Sequence, residues 1–298
     1  MNKLFLSLGV VLAALFAISC SNDETECINT VSNESCTIEQ EQQKGLAELK
    51  ENIARLNQTW MLKAPATETR SPSRWRIVGK ADMAGARIGK YAGVWGAVIV
   101  GAAASAFAIY ITHPKSVATT VPAELYNGTT IIRLDESESP SQVDSIGYYH
   151  NKLLAEIGIE NIIAADYDNI ENIIIEGAEK LGMANGECTD ISILKGNTDL
   201  QFIKNNMVQL NSTANAAEYC TLLRGNLKTI SSAEMDVLQE YMSGLDAIDA
   251  SQHPAYAQAT VNIIGQSNLP QQTKEGLAGS VIVGNASSQL WRTVCQAD

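Results

Sequence analysis

The sequence is poor in the side chains from which active sites and nucleic-acid interfaces are usually built. Only 3 histidines occur in 298 residues, and aromatic residues make up 6% of the chain. Neither G-x-S-x-G nor H-E-x-x-H is present, so the sequence carries no familiar nucleophile or zinc-protease signature. The formal net charge of −12 argues against nucleic-acid binding, which depends on a basic surface. We therefore expect no catalytic residues, no cofactor and no nucleic-acid partner.

Two groups of polar residues fit structural roles better than catalytic ones. His150 lies beside Asn151 on an amphipathic segment without a neighbouring nucleophile, so we interpret it as a side chain that bonds a neighbouring helix. Asp166, Asp168 and Glu171 resemble the start of a calcium loop but lack its glycine and later glutamate. We interpret them as the acidic N-terminus of a helix, where the helix dipole favours negative charge.

Residues 1–19 are organised like a secretory signal peptide. Lys3 precedes the apolar residues 4–18, a run too short to span a bilayer comfortably. The tetrapeptide Ala17-Ile18-Ser19-Cys20 resembles the box of bacterial lipoproteins, in which the cysteine becomes the acylated first residue. Lipidation at Cys20, with palmitate-type chains, would anchor the protein to a membrane. The alternative is an ordinary signal that is cut nearby, with Cys20 left in a disulfide.

Three acidic residues follow this cysteine closely: Asp23, Glu24 and Glu26. They resemble the surface-export signal of Bacteroidota lipoproteins. We therefore expect a lipid anchor in the outer membrane, with the protein on the cell surface or on the periplasmic face.

The remaining cysteines are candidates for disulfides, because the compartment outside the inner membrane permits them. Cys27 with Cys36 would close a small loop, and Cys188 with Cys220 a larger one, leaving Cys295 free. The sequence contains no CxxC and no Cys/His cluster, so we expect no metal site.

The segment GARIGKYAGVWGAVIVGAAASAFAIYIT is the most unusual part of the chain. Small residues recur in it every fourth position: Gly85, Gly89, Gly93, Ala97, Gly101 and Ser105. Residues 91–112 are uncharged, and as one helix they would be about 33 Å long, enough to cross a bilayer core. Gly276, Ser280, Gly284 and Ser288 form a second row of small residues. Because such rows allow backbones to approach closely, we favour two close-packed helices in one domain over a membrane span or an inserting helix.

Hydrophobic periodicity of three and four residues predicts helices through most of the chain. The expected fold is mostly α: a single helical domain of about seven or eight helices around a glycine-rich central helix, after a lipoprotein signal peptide. Thr37 with Gln40 and Ser231 with Glu234 read as capping boxes, and Pro254 suits a first helical turn. The expected organisation begins with a lipidated flexible tether (20–36), an amphipathic helix (37–64) and a basic linker (65–80). The apolar helix (81–113) follows, and then a linker (114–142) that contains a short strand at 129–134. The last part is a helical region (143–298) that packs on residues 81–113.

Three segments together resemble a group of uncharacterised Bacteroidota lipoproteins and secreted proteins. They are ADMAGARIGKYAG, SIGYYHNKLL and SVIVGNASSQLW. That group pairs a glycine-rich helix with a Gly-x-x-His-Asn-x-x-Leu helix and a terminal Ser-x-x-x-Trp, here Ser287 to Trp291. The resemblance implies a helical fold and an envelope location, and it carries over no functional residue. Asp144-Ser145-Ile146 also resembles the O-glycosylation acceptor of Bacteroidota, with Ser145 as the modified residue.

Three functions remain open on the sequence. The first is a non-enzymatic envelope lipoprotein with a structural or interaction role, partnered by an envelope protein or a polysaccharide. The second is a membrane-active protein, pore-forming or antibacterial, that uses residues 81–113. The third is a glycan-related binding protein or hydrolase, which the scarcity of aromatic residues disfavours.

Overall fold

The computed structural model describes residues 24–61, 74–112, 129–134, 141–183 and 192–296. Of residues 24–37, 74, 192, 193, 293, 295 and 296 it describes the backbone alone.

The described ranges contain α-helices and short 3-10 turns but no β-strand, which confirms the mostly α class. The helices are α1 (Glu24–Met61), α2 (Arg74–Gly89), α3 (Gly93–Thr112), α4 (Ile146–Ile157), α5 (Ile159–Ala164), α6 (Ile170–Lys180), α7 (Ser192–Lys195), α8 (Thr198–Asn211), α9 (Ala216–Leu223), α10 (Ser232–Ala247), α11 (His253–Gln266) and α12 (Gln271–Gln296). They are more numerous than expected because turns divide the predicted segments. One such turn is Gly158, whose φ of 81° ends α4.

Residues 45–298 form one compact unit, and residues 1–44 are a separate one. The described part of the first unit is the N-terminal portion of α1, which begins at Glu24 rather than at position 37. The proposed capping box at Thr37 therefore does not start a helix, and residues 24–36 are helical rather than an irregular tether. In the second unit, α1 buries Leu46, Leu49 and Ile53, the apolar stripe that the sequence predicts.

The glycine-rich segment is two helices, and the expectation of one continuous helix was wrong. The 3-10 turn Lys90–Ala92 separates α2 from α3, and Gly93 then adopts a φ of 81°, which favours glycine. A Cβ on Gly89 would lie 2.1 Å from the Gly96 carbonyl oxygen, and one on Gly85 would lie 2.6 Å from that of Val100. These pairings run in opposite directions along the chain, so α2 and α3 form a tight antiparallel hairpin.

Helix α2 begins at Arg74, inside the segment that the sequence assigned to a basic linker. The hairpin occupies the centre of the second unit. Every residue from Gly96 to Ile109 in α3 is buried. Helix α12 packs along α2, whereas α4, α6 and α8 pack on α3.

The segment 129–134 is irregular rather than a strand. Its backbone amides donate hydrogen bonds to side chains of α12 and α11. Thr130 N–H donates to Gln289 Oε1 at 3.2 Å, and Arg133 N–H donates to Gln258 Oε1 at 3.0 Å. Because these donors are already satisfied by side chains, the segment needs no partner strand.

Two helix starts agree with the sequence analysis. The Ser231 and Glu234 side chains form a reciprocal capping box at the start of α10. Pro254 lies in the first turn of α11, where its missing N–H costs no hydrogen bond.

Candidate functional site

The ionised side chains of the hairpin belong to α2 and the turn after it, while α3 contributes no charge. Lys80 Nζ lies 2.8 Å from Asp246 Oδ2 at the end of α10. Arg87 pairs with Glu234 at the start of α10, and both side chains are buried. Helix α10 therefore holds α2 by an ion pair at each of its own ends.

Asp82 is the most deeply buried acid of this group. Its Oδ2 accepts a hydrogen bond from Ser287 Oγ of α12 and lies 3.7 Å from His150 Nε2 of α4. All three residues are 0% exposed. This contact set, the Asp82 cluster, joins α2, α4 and α12 around one carboxylate.

Asn151 extends the Asp82 cluster along the chain. His150 Nδ1 lies 3.1 Å from Asn151 Oδ1, and Asn151 Nδ2 donates to the Ala286 carbonyl and to Thr129 Oγ1, each at 3.0 Å. Asn151 therefore hydrogen-bonds to α12, whereas His150 Nδ1 contacts a residue of its own helix and His150 Nε2 has no hydrogen-bond partner within the described residues. The hydrogen bond to a neighbouring helix that we expected of His150 is made by Asn151 instead.

The Asp82 cluster has the composition of a Ser-His-Asp triad but a different order of contacts. In a triad the histidine takes the proton of the serine hydroxyl, and the aspartate orients the histidine. Here the Ser287 hydroxyl donates directly to Asp82. Since the carboxylate, and not the imidazole, receives that hydrogen bond, the contacts differ from those of a triad and join α2 to α12.

The two rows of small residues do not face each other as the sequence suggested. Gly85, Gly89 and Gly101 lie in the α2–α3 interface, where added Cβ atoms would meet the backbone or side chains of the opposite helix of the hairpin. Gly93 faces open space, and Ala97 is buried. These glycines therefore pack within the hairpin, between α2 and α3, and not against the row of small residues on α12.

The row on α12 meets longer side chains of α2. A Cβ on Gly276 would lie 3.2 Å from the Arg87 guanidinium carbon, and one on Gly284 would lie 2.5 Å from Met83 Cγ. These two glycines make room for side chains of α2, and the Gly284 carbonyl oxygen also lies 3.9 Å from the position of a Cβ on Gly79.

The three serines of the two rows hydrogen-bond within or between helices. Ser280 donates to the Gly276 carbonyl at 3.0 Å within α12. Ser288 Oγ lies 3.3 Å from His253 Nδ1, and Ser105 accepts from Trp291 at 2.9 Å.

His253 begins α11 and is almost fully enclosed. Its ring centroid lies 5.3 Å from that of Trp75. Burial, together with the nearby Arg76 and Arg292, lowers the pKa of His253 to about 4, against smaller opposing effects of a hydrogen bond with the Leu245 backbone and of Asp249. The imidazole is therefore neutral at physiological pH.

Cys220 does not form the predicted disulfide. It is a free, buried thiol on α9 that contacts Met242 Sδ of α10 at 3.7 Å. Burial raises the pKa of the Cys220 thiol to about 12. The helix directs the cysteine inward, so its partner is a core methionine.

Other predicted residues lie outside the part of the chain that the structure describes. This applies to Cys20, Asp23 and Cys188, and to the side chains of Glu24, Glu26, Cys27, Cys36 and Cys295.

Ser145 lies in the 3-10 turn Val143–Ser145 and is half-buried. Its neighbour Asp144 is buried and accepts hydrogen bonds from the backbone N–H groups of Leu134 at 2.8 Å and Ser141 at 2.7 Å. The acidic residue of the proposed O-glycosylation motif thus stabilises the turn.

The acidic residues at the start of α6 are distributed between surface and core. Asp168 lies in the 3-10 turn Tyr167–Asn169, and Glu171 is buried, with its Oε2 3.6 Å from Lys204 Nζ. Within the ranges that the structure describes, no group of three or more His, Cys, Asp or Glu side chains is placed to hold a metal ion.

The helical segment Trp75–Thr112 passes the length and hydropathy test for a membrane span, with a mean hydropathy of 2.0 over 18 residues. The chain reverses within it at Lys90–Ala92, so α3 is the part with the required length. In the folded unit, 78% of that window is buried. A buried core helix passes the same test.

No protein-family model matches the chain, and no match was found among the curated proteins or the solved structures.

Sequence reasoning missed the Asp82 cluster and the Arg87–Glu234 pair. A signal for both was present, because charged residues inside a glycine-rich apolar helix need buried partners. The identity of those partners depends on residues far away along the chain, such as Glu234 at 147 positions from Arg87 and Ser287 at 205 positions from Asp82, which the local pattern does not contain.

Proposed function

We propose that this protein is a lipid-anchored envelope protein whose helical unit acts by binding, without catalysing a reaction. The observation that carries the proposal is Cys20 at the end of an apolar leader. An acylated cysteine in that position would hold the helical unit at an outer-membrane surface.

The arrangement of the polar core supports an interaction role. Lys80 and Arg87 each pair with an acidic residue of α10, and Asp82 accepts a hydrogen bond from α12. Such contacts fix the register of packed helices. A rigid helical body then presents its outer surface to a partner, either another envelope protein or a polysaccharide.

The anchor is tested by replacing Cys20 with Ala in the full-length chain. We expect the wild-type protein to incorporate radiolabelled palmitate and to sediment with the outer membrane. The Cys20→Ala protein should lose both properties. Cys27→Ala is the matched control and should behave as wild type; labelling that survives Cys20→Ala would overturn the proposal.

A second candidate function, membrane activity, is favoured by one specific feature of the hairpin. Helix α3 is uncharged over 20 residues, a length of about 30 Å that matches a bilayer core. Insertion would require α3 to leave α2, since α2 carries Lys80, Asp82 and Arg87. The close contact between Gly89 and Gly96 would be lost in that step.

A disulfide across the hairpin tests this second function directly. A Cβ on Gly101 would lie 3.6 Å from Ala86 Cβ, a separation that a disulfide spans without strain. The double substitution Ala86→Cys and Gly101→Cys should therefore lock α2 to α3 when oxidised. If the protein is membrane-active, the reduced form releases dye from liposomes and the oxidised form does not. If neither form releases dye, the second function is excluded.

A further inference from the structure

The turn between α2 and α3 carries a prominently exposed aromatic residue. Tyr91 lies in the 3-10 turn Lys90–Ala92 and is 57% exposed. In the described part of the chain it is the one aromatic residue among the exposed large hydrophobic side chains. The reversal at Gly93 thus places a tyrosine outside the core although the segment around it is buried.

Three more aromatic side chains lie near this turn and are only partly buried. The ring centroids of Trp95 and Tyr149 are 4.8 Å apart, with an interplanar angle of 72°. Those of Tyr149 and Tyr148 are 5.2 Å apart, at 76°. We call Tyr91, Trp95, Tyr148 and Tyr149 the tip patch. Tyr149 contacts both Trp95 and Tyr148, and Tyr91 lies in the turn that precedes Trp95 along the chain.

Basic side chains accompany the tip patch. Lys152 Nζ lies 5.9 Å from the centre of the Tyr148 ring, and the Arg87 guanidinium lies 5.1 Å from that of Tyr91. Lys90 is paired with Glu275 at 2.9 Å, and Arg87 is paired with Glu234. Lys152 therefore supplies the local positive charge, on a chain whose net charge is −12.

We propose that the tip patch docks on the lipid–water interface of a membrane. Tyrosine and tryptophan have an apolar body and a polar edge, the combination that is enriched where a bilayer meets water. A lysine beside them adds attraction to anionic headgroups. This inference rests on the proposed lipid anchor, which would keep the helical unit next to a membrane and raise the local concentration of lipid.

The ring geometry favours lipid over sugar as the occupant. A sugar stacks on one flat, open aromatic face, whereas Tyr149 meets the rings of Trp95 and Tyr148 at steep angles. Indole and phenol groups instead suit the mixed apolar and polar environment of lipid headgroups.

The test uses the Cys20→Ala chain expressed without residues 1–19, so that no lipid anchor contributes to binding. Co-sedimentation with vesicles of phosphatidylcholine containing phosphatidylglycerol measures the partition coefficient. Tyr91→Ala should lower it about tenfold, because the exposed ring loses its contact with lipid. Lys152→Ala should lower it roughly fivefold on these vesicles and leave it unchanged on pure phosphatidylcholine. The matched control is Val208→Ala, which removes an apolar side chain 68% exposed on α8 and should have no effect.

The fluorescence of Trp95 provides a second measurement of lipid contact, which does not depend on the loss of binding caused by an alanine substitution. Brominated lipid should quench part of the tryptophan fluorescence of bound protein, and Trp95→Phe should abolish that quenching. Trp291 is buried, and the partly buried Trp60 and Trp75 lie on α1 and at the start of α2, outside the tip patch, so these three should contribute none. Quenching that survives Trp95→Phe, binding unaffected by Tyr91→Ala, or binding to soluble polysaccharide in place of vesicles would each overturn the tip patch as a lipid contact. None of these outcomes affects the Cys20 labelling experiment, so failure of the patch and failure of the anchor are separable.

Discussion

The indole Nε1 of Trp291 donates a hydrogen bond of 2.9 Å to the hydroxyl of Ser105, and both side chains are fully buried. Ser105 is the one polar side chain within the buried stretch of α3. The bond therefore joins the apolar helix to α12 at a single polar point. It also shows how a serine within a row of small residues acts as an acceptor and not merely as a small side chain.

Loss of this acceptor should destabilise the protein. Ser105→Ala leaves the buried indole N–H without its partner, which costs about 1–3 kcal/mol of unfolding free energy. Urea unfolding monitored by circular dichroism measures the change. In a Trp291→Phe background the same substitution should cost less, because the N–H is already absent; equal costs in both backgrounds would contradict the role of the bond.

The hairpin should be sensitive to a methyl group at one glycine and tolerant of it at another. Gly89→Ala would place a Cβ 2.1 Å from a backbone oxygen, and we expect a loss of about 3 kcal/mol from the forced separation of the helices. Gly101→Ala meets its nearest atoms at 3.5 Å. It should be neutral or stabilise by up to about 1 kcal/mol through helix propensity. Thermal unfolding of both variants tests the hairpin, and a neutral Gly89→Ala would refute the close approach.

The Arg87–Glu234 pair should matter more than the helix cap that shares Glu234. Glu234→Gln keeps a side chain that can cap α10 but leaves the Arg87 charge buried without its counter-ion, a cost of about 3–5 kcal/mol. Ser231→Ala, the control, removes the capping hydroxyl and should cost about 1 kcal/mol. Comparable losses in the two variants, measured by urea unfolding, would show that capping and not charge pairing dominates.

His253 should make the protein less stable in mild acid. Its folded pKa of about 4 lies below the unfolded value of about 6.5. The unfolded state therefore binds the extra proton as the pH falls between these values. Stability from this residue is complete above about pH 6.5 and is lost as the pH drops toward 4, by roughly 3 kcal/mol in total.

The comparison that isolates this effect is the pH dependence of the urea midpoint in the wild type and in His253→Gln. The variant should show a shallower decline between pH 6.5 and 4, while contributions of other groups remain common to both proteins. Parallel curves would mean that His253 titrates normally in the folded state.

Cys220 should be unreactive while the protein is folded. With a pKa of about 12, its thiolate population at pH 8 is about a thousandfold lower than that of an ordinary cysteine, and its burial blocks access as well. A variant in which the other five cysteines are replaced by serine leaves one thiol to follow. Iodoacetamide should modify it in urea and not in buffer, and rapid labelling in buffer would contradict its burial.

The sequence predicted the helical class and several of its details. Apolar residues at intervals of three and four marked the buried face of α1, and the Ser231 and Glu234 side chains marked the start of α10. Local rules were sufficient at these positions because caps and amphipathic faces depend on residues within one or two turns. The same rules overlooked the reversal at Lys90–Ala92, since a run of glycine and alanine reads as one helix when its partner is unknown.

What the sequence determined by itself was therefore helix formation and the apolar character of α3. The tertiary structure decided where the chain turns, because the reversal depends on the φ of Gly93 and on the contact between Gly89 and Gly96. It also decided which partners meet Lys80, Asp82 and Arg87, and it gave Cys220 a methionine neighbour in place of a disulfide. Each of these outcomes depends on atoms that are distant along the chain and close in space. No local pattern of residues specifies such a tertiary contact.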